Sequence, residues 1–423
     1  MDWSAAYKLF KYGRMNVQGL FEVVIQNSLD LLPAEKKILV HLDDTILRKN
    51  GKKVAGTAWR RDPLGPPFQN NLVWGQRFIQ LSMAMPLGVG CTQSRALPID
   101  FFHSPSAKRP GAYARDEEVE KFKELQAKAR LSYQGVLRMS TLRKTLDDQG
   151  CSQRTLCISV DGSYTNKTVL KQLPANTILI GRIRKDTRLY KLPESQPVKG
   201  RKKVYGEPIA TPEEIRQGNE IEYKEIKAWA AGKVHDFKIK VVKSLRWRTA
   251  GEKHILQLMI ISPLGYRVTK DSKILYREPA YLICTDNNLD TEEFLQSYLW
   301  RWEIEVNFRD EKTLIGCGQA QVRNAEAVEK APAFSVAMYA FLHLASMQAR
   351  QLRNESVLPR AKWDPANEHQ RLSTTELMNL FRLQKWTSNI QTNFSGFMAK
   401  QHKSRSLKKA IDPLLSAIFY LRN

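Results

Sequence analysis

Apolar positions in YKLFKYGRMNVQGLFEVVIQNSLDLL recur at helical spacing and stop at Pro33, so residues 1–35 read as a helical leading segment. KKILVHLDDTILRK then carries the short apolar run of a central strand, interrupted by Asp43 and Asp44. GKKVAGTAWRRDPLGPPFQNN, rich in Gly, Pro and basic residues, is a loop. NLVWGQRFIQLSMAMPL and RALPIDFF supply two more strands, completing a three-strand meander. One long polar helix is expected from Asp116 to Asp148, with Gly150 closing it. RTLCISVDGSYTN is a buried strand ending on Asp161 and turning at Gly162. KTVLKQL and NTILIGRI add a short helix and another buried strand.

Three strands, helix, strand, helix, strand is the order of an α/β ribonuclease-H-like mixed sheet with flanking helices. In that plan the first strand lies at the sheet centre beside the fourth, which brings Asp43 and Asp161 together. Adjacent strand residues point to opposite faces, so only one of Asp43 and Asp44 shares a face with Asp161.

Residues 184–280 change texture to short alternating strands. In HDFKIKVVK, Phe237, Ile239 and Val241 share one face while Lys238 and Lys240 share the other, as in a half-buried strand. Lys199, Arg201, Lys202 and Lys203, with Trp247 between Arg246 and Arg248, give this mostly β insertion a basic surface. Those cations are either a solvated rim or a contact for a phosphate backbone. The expected organisation is a helical N-terminal segment (1–35), a catalytic core in two parts (36–183 and 281–349) separated by the β insertion (184–280), and a helical basic C-terminal region (350–423). The basic cluster Lys400, His402, Lys403, Arg405, Lys408 and Lys409 in the last region is a DNA contact or a solvated face.

Charge narrows the partner. The 423 residues contain 67 Lys and Arg against 43 Asp and Glu, a formal net charge of +24 that points to a polyanion, nucleic acid above all. A membrane is not expected: the longest apolar segment, PAFSVAMYAFLHLASMQA, contains His343 and reads as a buried core helix. The five cysteines show no C-x-x-C pair and no zinc spacing, which suits reduced thiols in a cytoplasmic protein.

The densest chemistry lies in YLWRWEIEVNFRDEK, residues 298–312. Asp290 and Glu293 upstream form a capping-box pattern, so the stretch is read as helix. At about 100° per residue, Tyr298, Arg301, Glu305 and Lys312 fall within roughly 60° of one another, and Arg309 joins their stripe. Intrahelical ion pairing explains part of this pattern. The stripe's surplus of positive charge asks for an anion, and three converging carboxylates ask for a hard divalent metal. Trp300 and Trp302 lie mostly off the stripe, either packing on the sheet or stacking on an unpaired base.

Tyr298-x2-Arg301-x3-Glu305-x6-Lys312 resembles the Y-R-E-K signature of the bacterial insertion-sequence transposases that carry a DDE triad and a β insertion before the glutamate. LDDT at Asp43 and VDGSYTN at Asp161 resemble that group's first and second aspartate motifs. The resemblance spans about residues 38–348. It implies a metal-dependent DNA transposase that cuts its element free and joins 3′ ends to a target. By position, Asp43, Asp161 and Glu305 would be catalytic and bind two Mg²⁺ ions, with Mn²⁺ able to substitute. Tyr298, Arg301, Lys312 and Arg309 would hold DNA. Members of the group can cut through a hairpin that flips a base onto a tryptophan, a role for which Trp247 is the first candidate and Trp229 the second. The resemblance further implies double-stranded transposon-end and target DNA as partners, a dimer in the synaptic complex, and a bacterial, nucleoid-associated location. The segment before Asp43 is short for the group, so end recognition would be reduced or moved to the insertion and C-terminal tail. A structure-selective nuclease of the same fold and a catalytically inactive, transposase-derived DNA-binding protein are the competing readings.

Overall fold

The computed structural model describes residues 4–12, 14–62, 65, 66, 69, 71–88, 90–194, 202–267, 271–320, 322–352 and 371–382. The loop residues Lys199 and Arg201, and the basic cluster from Lys400 to Lys409, lie outside them.

Two helices lead, α1 (Ser4–Lys11) and α2 (Val17–Asp30), the second capped by the Asn16 side chain accepting from the Gly19 amide. The meander is β1 (Ile38–Arg48), β3 (Leu72–Pro86) and β4 (Ser94–His103), with a short extra strand β2 (Ala58–Arg61) inside the expected loop. The single polar helix expected from Asp116 to Asp148 is two helices, α3 (Asp116–Lys128) and α4 (Leu131–Asp148). α3 buries no residue, whereas α4 buries Val136, Met139, Leu142 and Leu146, so only the second half has an apolar stripe to dock. β5 (Leu156–Val160), α5 (Lys167–Lys171) and β6 (Thr177–Arg182) follow. Next come β7 (Tyr190–Lys191), α6 (Pro212–Gln217), β8 (Lys224–Ala230), β9 (Lys233–Arg246), β10 (Leu256–Ile261), β11 (Gly265–Tyr266) and β12 (Leu275–Tyr276). β13 (Ala280–Cys284), α7 (Thr291–Leu299), α8 (Trp302–Thr313) and α9 (Ala325–Leu352) complete the named elements, and residues 374–382 form one more helical segment.

The central sheet runs β2-β3-β1-β5-β6-β13-β10-β9-β7, with β4 on β3 and β8 on β9. β1 pairs antiparallel with β3 and parallel with β5, and β5 is parallel to β6. This is the mixed sheet of a ribonuclease-H-like fold. Strands β9 and β10, from the segment read as an insertion, continue the same sheet through β13 instead of forming a separate one. Lys240 departs from the alternating pattern of β9. It is 2% exposed, and its ammonium donates to the carbonyls of Ile215, Arg216 and Gly218 at the end of α6. Those orphan carbonyls draw the cation inward, where period-two alternation alone put it in solvent.

Alternation along β1 and β5 assigns their side chains to two layers. Ile38, Val40 and Leu42 of β1 and Ile158 and Val160 of β5 share a core with Val136, Met139 and Leu142 of α4. Leu39 and Cys157 belong to the opposite layer with Phe294 and Leu295 of α7. α2 and α9 pack on β4 and on each other. Among the described residues no helix is long and apolar enough to cross a membrane, and His343 of the apolar α9 is fully buried. All five cysteines are free.

Candidate active site

The two-layer arrangement decides between the paired aspartates. Asp43 follows Leu39 and His41 onto the α7–α8 side, and Asp44 follows Leu42 onto the α4 side. Leu42 is paired with Val160, so Asp161, one residue past β5, emerges next to Asp43 on the neighbouring parallel strand. Its carboxylate is held by the backbone N–H and hydroxyl of Ser163, at 2.9 and 3.0 Å. Glu305 comes from the first turn of α8.

Asp43 and Glu305 flank one guanidinium, and Asp161 acts on it electrostatically. Arg301 Nη1 lies 2.8 Å from Asp43 Oδ2 and 4.0 Å from Glu305 Oε1; the Arg301, Asp43 and Glu305 side chains are 13%, 12% and 42% exposed. Burial pushes the Asp43 carboxyl up to about 8; Arg301 pulls it down, and Asp161 and Glu305 push it further up. Burial works to lower the Arg301 pKa, but Tyr298, Asp43, Asp161 and Glu305 raise it overall, so it remains a cation. One cation thus faces three acids. Beneath them, on the same face of β1, His41 is fully buried with neither ring nitrogen hydrogen-bonded, and burial, followed by Arg301, lowers its pKa to about 3.

Arg301 owes its place to a break in the helix. The expected continuous helix over 298–312 is two helices with Arg301 at the junction. The Ser297 carbonyl, the i−4 partner of the Arg301 amide in an unbroken helix, accepts instead from the Ser159 hydroxyl of β5 at 3.1 Å. The Arg301 amide turns to Tyr298 O, and the Glu303 and Ile304 amides likewise make i−3 bonds to Trp300 and Arg301. Gln296 ties the same turn to β8 by accepting from the Trp229 amide and donating to its carbonyl. The expected capping box also differs. Asp290 accepts from the Glu292 and Glu293 amides, while the Glu293 side chain pairs with Lys37 at 2.8 Å.

The remaining signature residues spread around this centre. The Tyr298 ring lies 5.7 Å from the Arg301 guanidinium carbon. Lys312 is half-buried with its ammonium 5.9 Å from the Phe308 ring centroid, and burial lowers its pKa, against Cys317, Glu311 and Glu305, which raise it. Arg309 is exposed and paired with Asp310. The Trp300 indole donates to Thr92 O at 3.0 Å, whereas Trp302 is 61% exposed and not packed on the sheet. Trp247 lines a cavity of about 810 Å³ beginning one residue past Asp161, where Arg182, Arg184, Lys185 and Arg216 face Asp186, Glu213 and Glu278. Arg184 is paired with Asp186 and Arg216 with Glu213, so the hollow is of mixed charge.

Carboxylates are the right donors for a hard divalent cation. As the side chains stand, however, no group of three or more His, Cys, Asp or Glu among the described residues is gathered closely enough to hold one. The positive charge beside Asp43 is the Arg301 guanidinium.

A family model described as DDE superfamily endonuclease matches residues 3–250, more than half of the chain. The chain belongs to the DDE superfamily of endonucleases. The matched region of this DDE endonuclease includes Asp43 and Asp161 and stops before Glu305. No curated protein matches the chain.

Several contacts around this DDE endonuclease's centre, some of them made by residues of the two aspartate motifs, had no signal in the sequence. Asp44 lies between Tyr164, whose hydroxyl is 3.5 Å away, and the guanidinium groups of Arg77 and Arg60; burial raises its carboxyl to about 6. Tyr164 is seated against Gly135 of α4, where a Cβ would lie 2.8 Å from the ring. On the other side, residues 371–374 clasp α8. Arg371 Nη1 is 2.5 Å from Glu303 Oε2, and the Thr374 hydroxyl donates to Asp310 Oδ2 at 2.6 Å. His343 links Thr374 to Arg95 at 3.3 and 2.9 Å. The only sequence signal for this clasp is two acids, Asp310 and Glu311, adjacent in a helix that has to bury one side.

Proposed function

We propose that this DDE endonuclease is a DNA transposase that cuts at the ends of its element and transfers the 3′ ends to target DNA, using Asp43, Asp161 and Glu305. The observation carrying this reading is that three acids far apart in the chain act electrostatically on one another around Arg301. Folding alone gives no return for exposing a carboxylate surplus to a single guanidinium in a mostly buried pocket.

Asp43, Asp161 and Glu305 are the proposed ligands for two Mg²⁺ ions, or Mn²⁺ in their place, which when bound supply charge neutralisation and Lewis acidity to phosphoryl chemistry. Arg301 bridges the acids electrostatically and, with the Tyr298 hydroxyl and Lys312, holds phosphates flanking the scissile one; Arg309 reaches the same strand from the exposed side of α8. Trp247, in the hollow beside Asp161, suits a base turned out of the duplex, as excision through a hairpin requires. Synapsis of two ends makes the working assembly a dimer on double-stranded DNA, within the bacterial nucleoid.

Glu305→Gln tests the reading. The purified protein is incubated with end DNA and Mg²⁺, and nicked, hairpin and joined products are resolved on a denaturing gel. The substitution is expected to abolish every product while DNA affinity stays within about twofold, since only one exposed acid is neutralised. Cleavage without joined product from the unaltered protein would make it a nuclease; retained cleavage by Glu305→Gln would remove this residue from the chemistry.

A further inference from the structure

The β2–β3 hairpin carries features that the acids do not explain. Trp59 pairs with Trp74 across it, and Arg61 with Leu72. Trp74, Gln76, Phe78 and Gln80 alternate onto one face of β3, and Gln80 is paired with Asp43. Trp59, Trp74 and Leu72 therefore stand on the same face of the sheet as Asp43, beyond the far end of β1. The two indoles meet edge to face at 5.4 Å, and the Trp74 nitrogen is fixed by Gly51 O at 3.2 Å. Trp59 is nevertheless 64% exposed and Leu72 60%.

The surroundings of this apolar patch are basic. RKNGKKVAGTAWRR, residues 48–61, contains six cations and no acid. Arg48 is paired with Asp62, and Lys49 donates to the carbonyls of Gly318 and Ala320. Lys52, Lys53 and Arg61 are exposed. A presented indole beside exposed cations is complementary to a chain of aromatic bases on a phosphate backbone, the partner that the transposase reading supplies.

We propose that this hairpin is a binding surface for unpaired DNA, with the Trp59 ring stacking on a base and Lys52, Lys53 and Arg61 on the adjoining phosphates. The inference rests on the transposase reading and adds a second strand contact, on β2 and β3, at a distance from the cavity of Trp247.

The test compares two probes without metal: a blunt random-sequence duplex, and the same duplex with a single-stranded extension. Affinity is read by fluorescence anisotropy across a salt series. Trp59→Ala is expected to weaken binding of the extended probe by about fivefold to a hundredfold, with Trp59→Phe retaining most of it and the blunt duplex unaffected. Neutralising Lys52, Lys53 and Arg61 to Gln together is expected to lower the slope of log affinity against log salt by roughly 2 on the extended probe. The exposed Lys144→Gln on α4 serves as the charge control and should leave both probes unchanged. Unchanged binding of the extended probe by Trp59→Ala, or equal loss on both probes, overturns the inference. No DNA binding by the unaltered protein would instead overturn the transposase reading itself.

Discussion

Replacing Arg301 by Gln removes the single cation among three acids, and the consequence depends on pH. At 2.8 Å, with an effective dielectric near 20, the gross attraction between Arg301 and Asp43 is about 6 kcal/mol. Breaking a buried pair of this kind costs about 3–5 kcal/mol when the remaining charge cannot escape. Asp43 can escape by taking a proton. Its pKa rises from 3.8 to about 8 in the fold, so the folded protein binds the extra proton and the unfolded chain releases it across that range. Stability from this group is therefore complete below the unfolded value and is lost as pH rises towards 8, where ionisation of the folded form ends the loss. Without Arg301, which opposes the upward shift, the folded pKa moves higher and the loss continues beyond 8. Urea denaturation in chelator is expected to find Arg301→Gln about 1 kcal/mol less stable at pH 6, where only a hydrogen bond is lost, and a further ~1.4 kcal/mol less stable for each pH unit above 8. A difference that stays flat from pH 6 to pH 9 would show that Arg301 does not govern the charge on Asp43.

Glu311 is 1% exposed, its Oε1 has no hydrogen-bond partner, and burial raises its pKa from 4.5 to about 8. Because this folded pKa is also raised, stability falls between those values, and Glu311→Gln is expected to gain on the parent by about 3 kcal/mol from pH 5 to pH 7.5 in thermal or urea unfolding. An advantage independent of pH would refute a proton held by Glu311. Thr374→Val keeps the shape but strips the buried Asp310 carboxylate of its donor; a loss of about 1–3 kcal/mol in urea unfolding is expected, and no loss would mean the clasp on α8 is not formed in solution.

What the sequence made legible was whatever depends on short-range periodicity. The apolar runs of β1, β3, β4, β5 and β6 and the helices among them give the element order of a ribonuclease-H-like sheet, and that plan puts Asp43 beside Asp161, as the parallel pairing of β1 with β5 does. The helix near Asp290 was legible through its cap. The DDE match covers both aspartates, so the family and the strands that carry them rest on the same stretch of chain. Domain-scale reading of 184–280 was harder, because alternation identifies strands but not their neighbours, and β10 finds β13 across a sequence separation that no local pattern encodes.

The features that escaped the sequence share a cause. Counting 100° per residue through 298–312 assumes that every helical carbonyl bonds its own helix, yet Ser297 O is taken by Ser159, a residue 138 positions away. That one hydrogen bond ends α7, so Tyr298 and Glu305 stand on different helices with Arg301 in the turn between them. The i−3 bonds at Arg301, Glu303 and Ile304 add about 20° each to the helical rotation, so a count of 100° per residue does not carry across the junction. Asp310 and the Thr374 hydroxyl, Arg371 and Glu303, Lys240 and the carbonyls of α6, and Arg60 beside Asp44 follow the same logic: each charged side chain answers a backbone or side-chain group that the fold brings in at long range. A charge whose partner is brought in by topology has no signature in its own neighbourhood. Asp43 and Asp161 were the exception, since a carboxylate within or just past a buried strand is costly enough to be conspicuous before its partners are known.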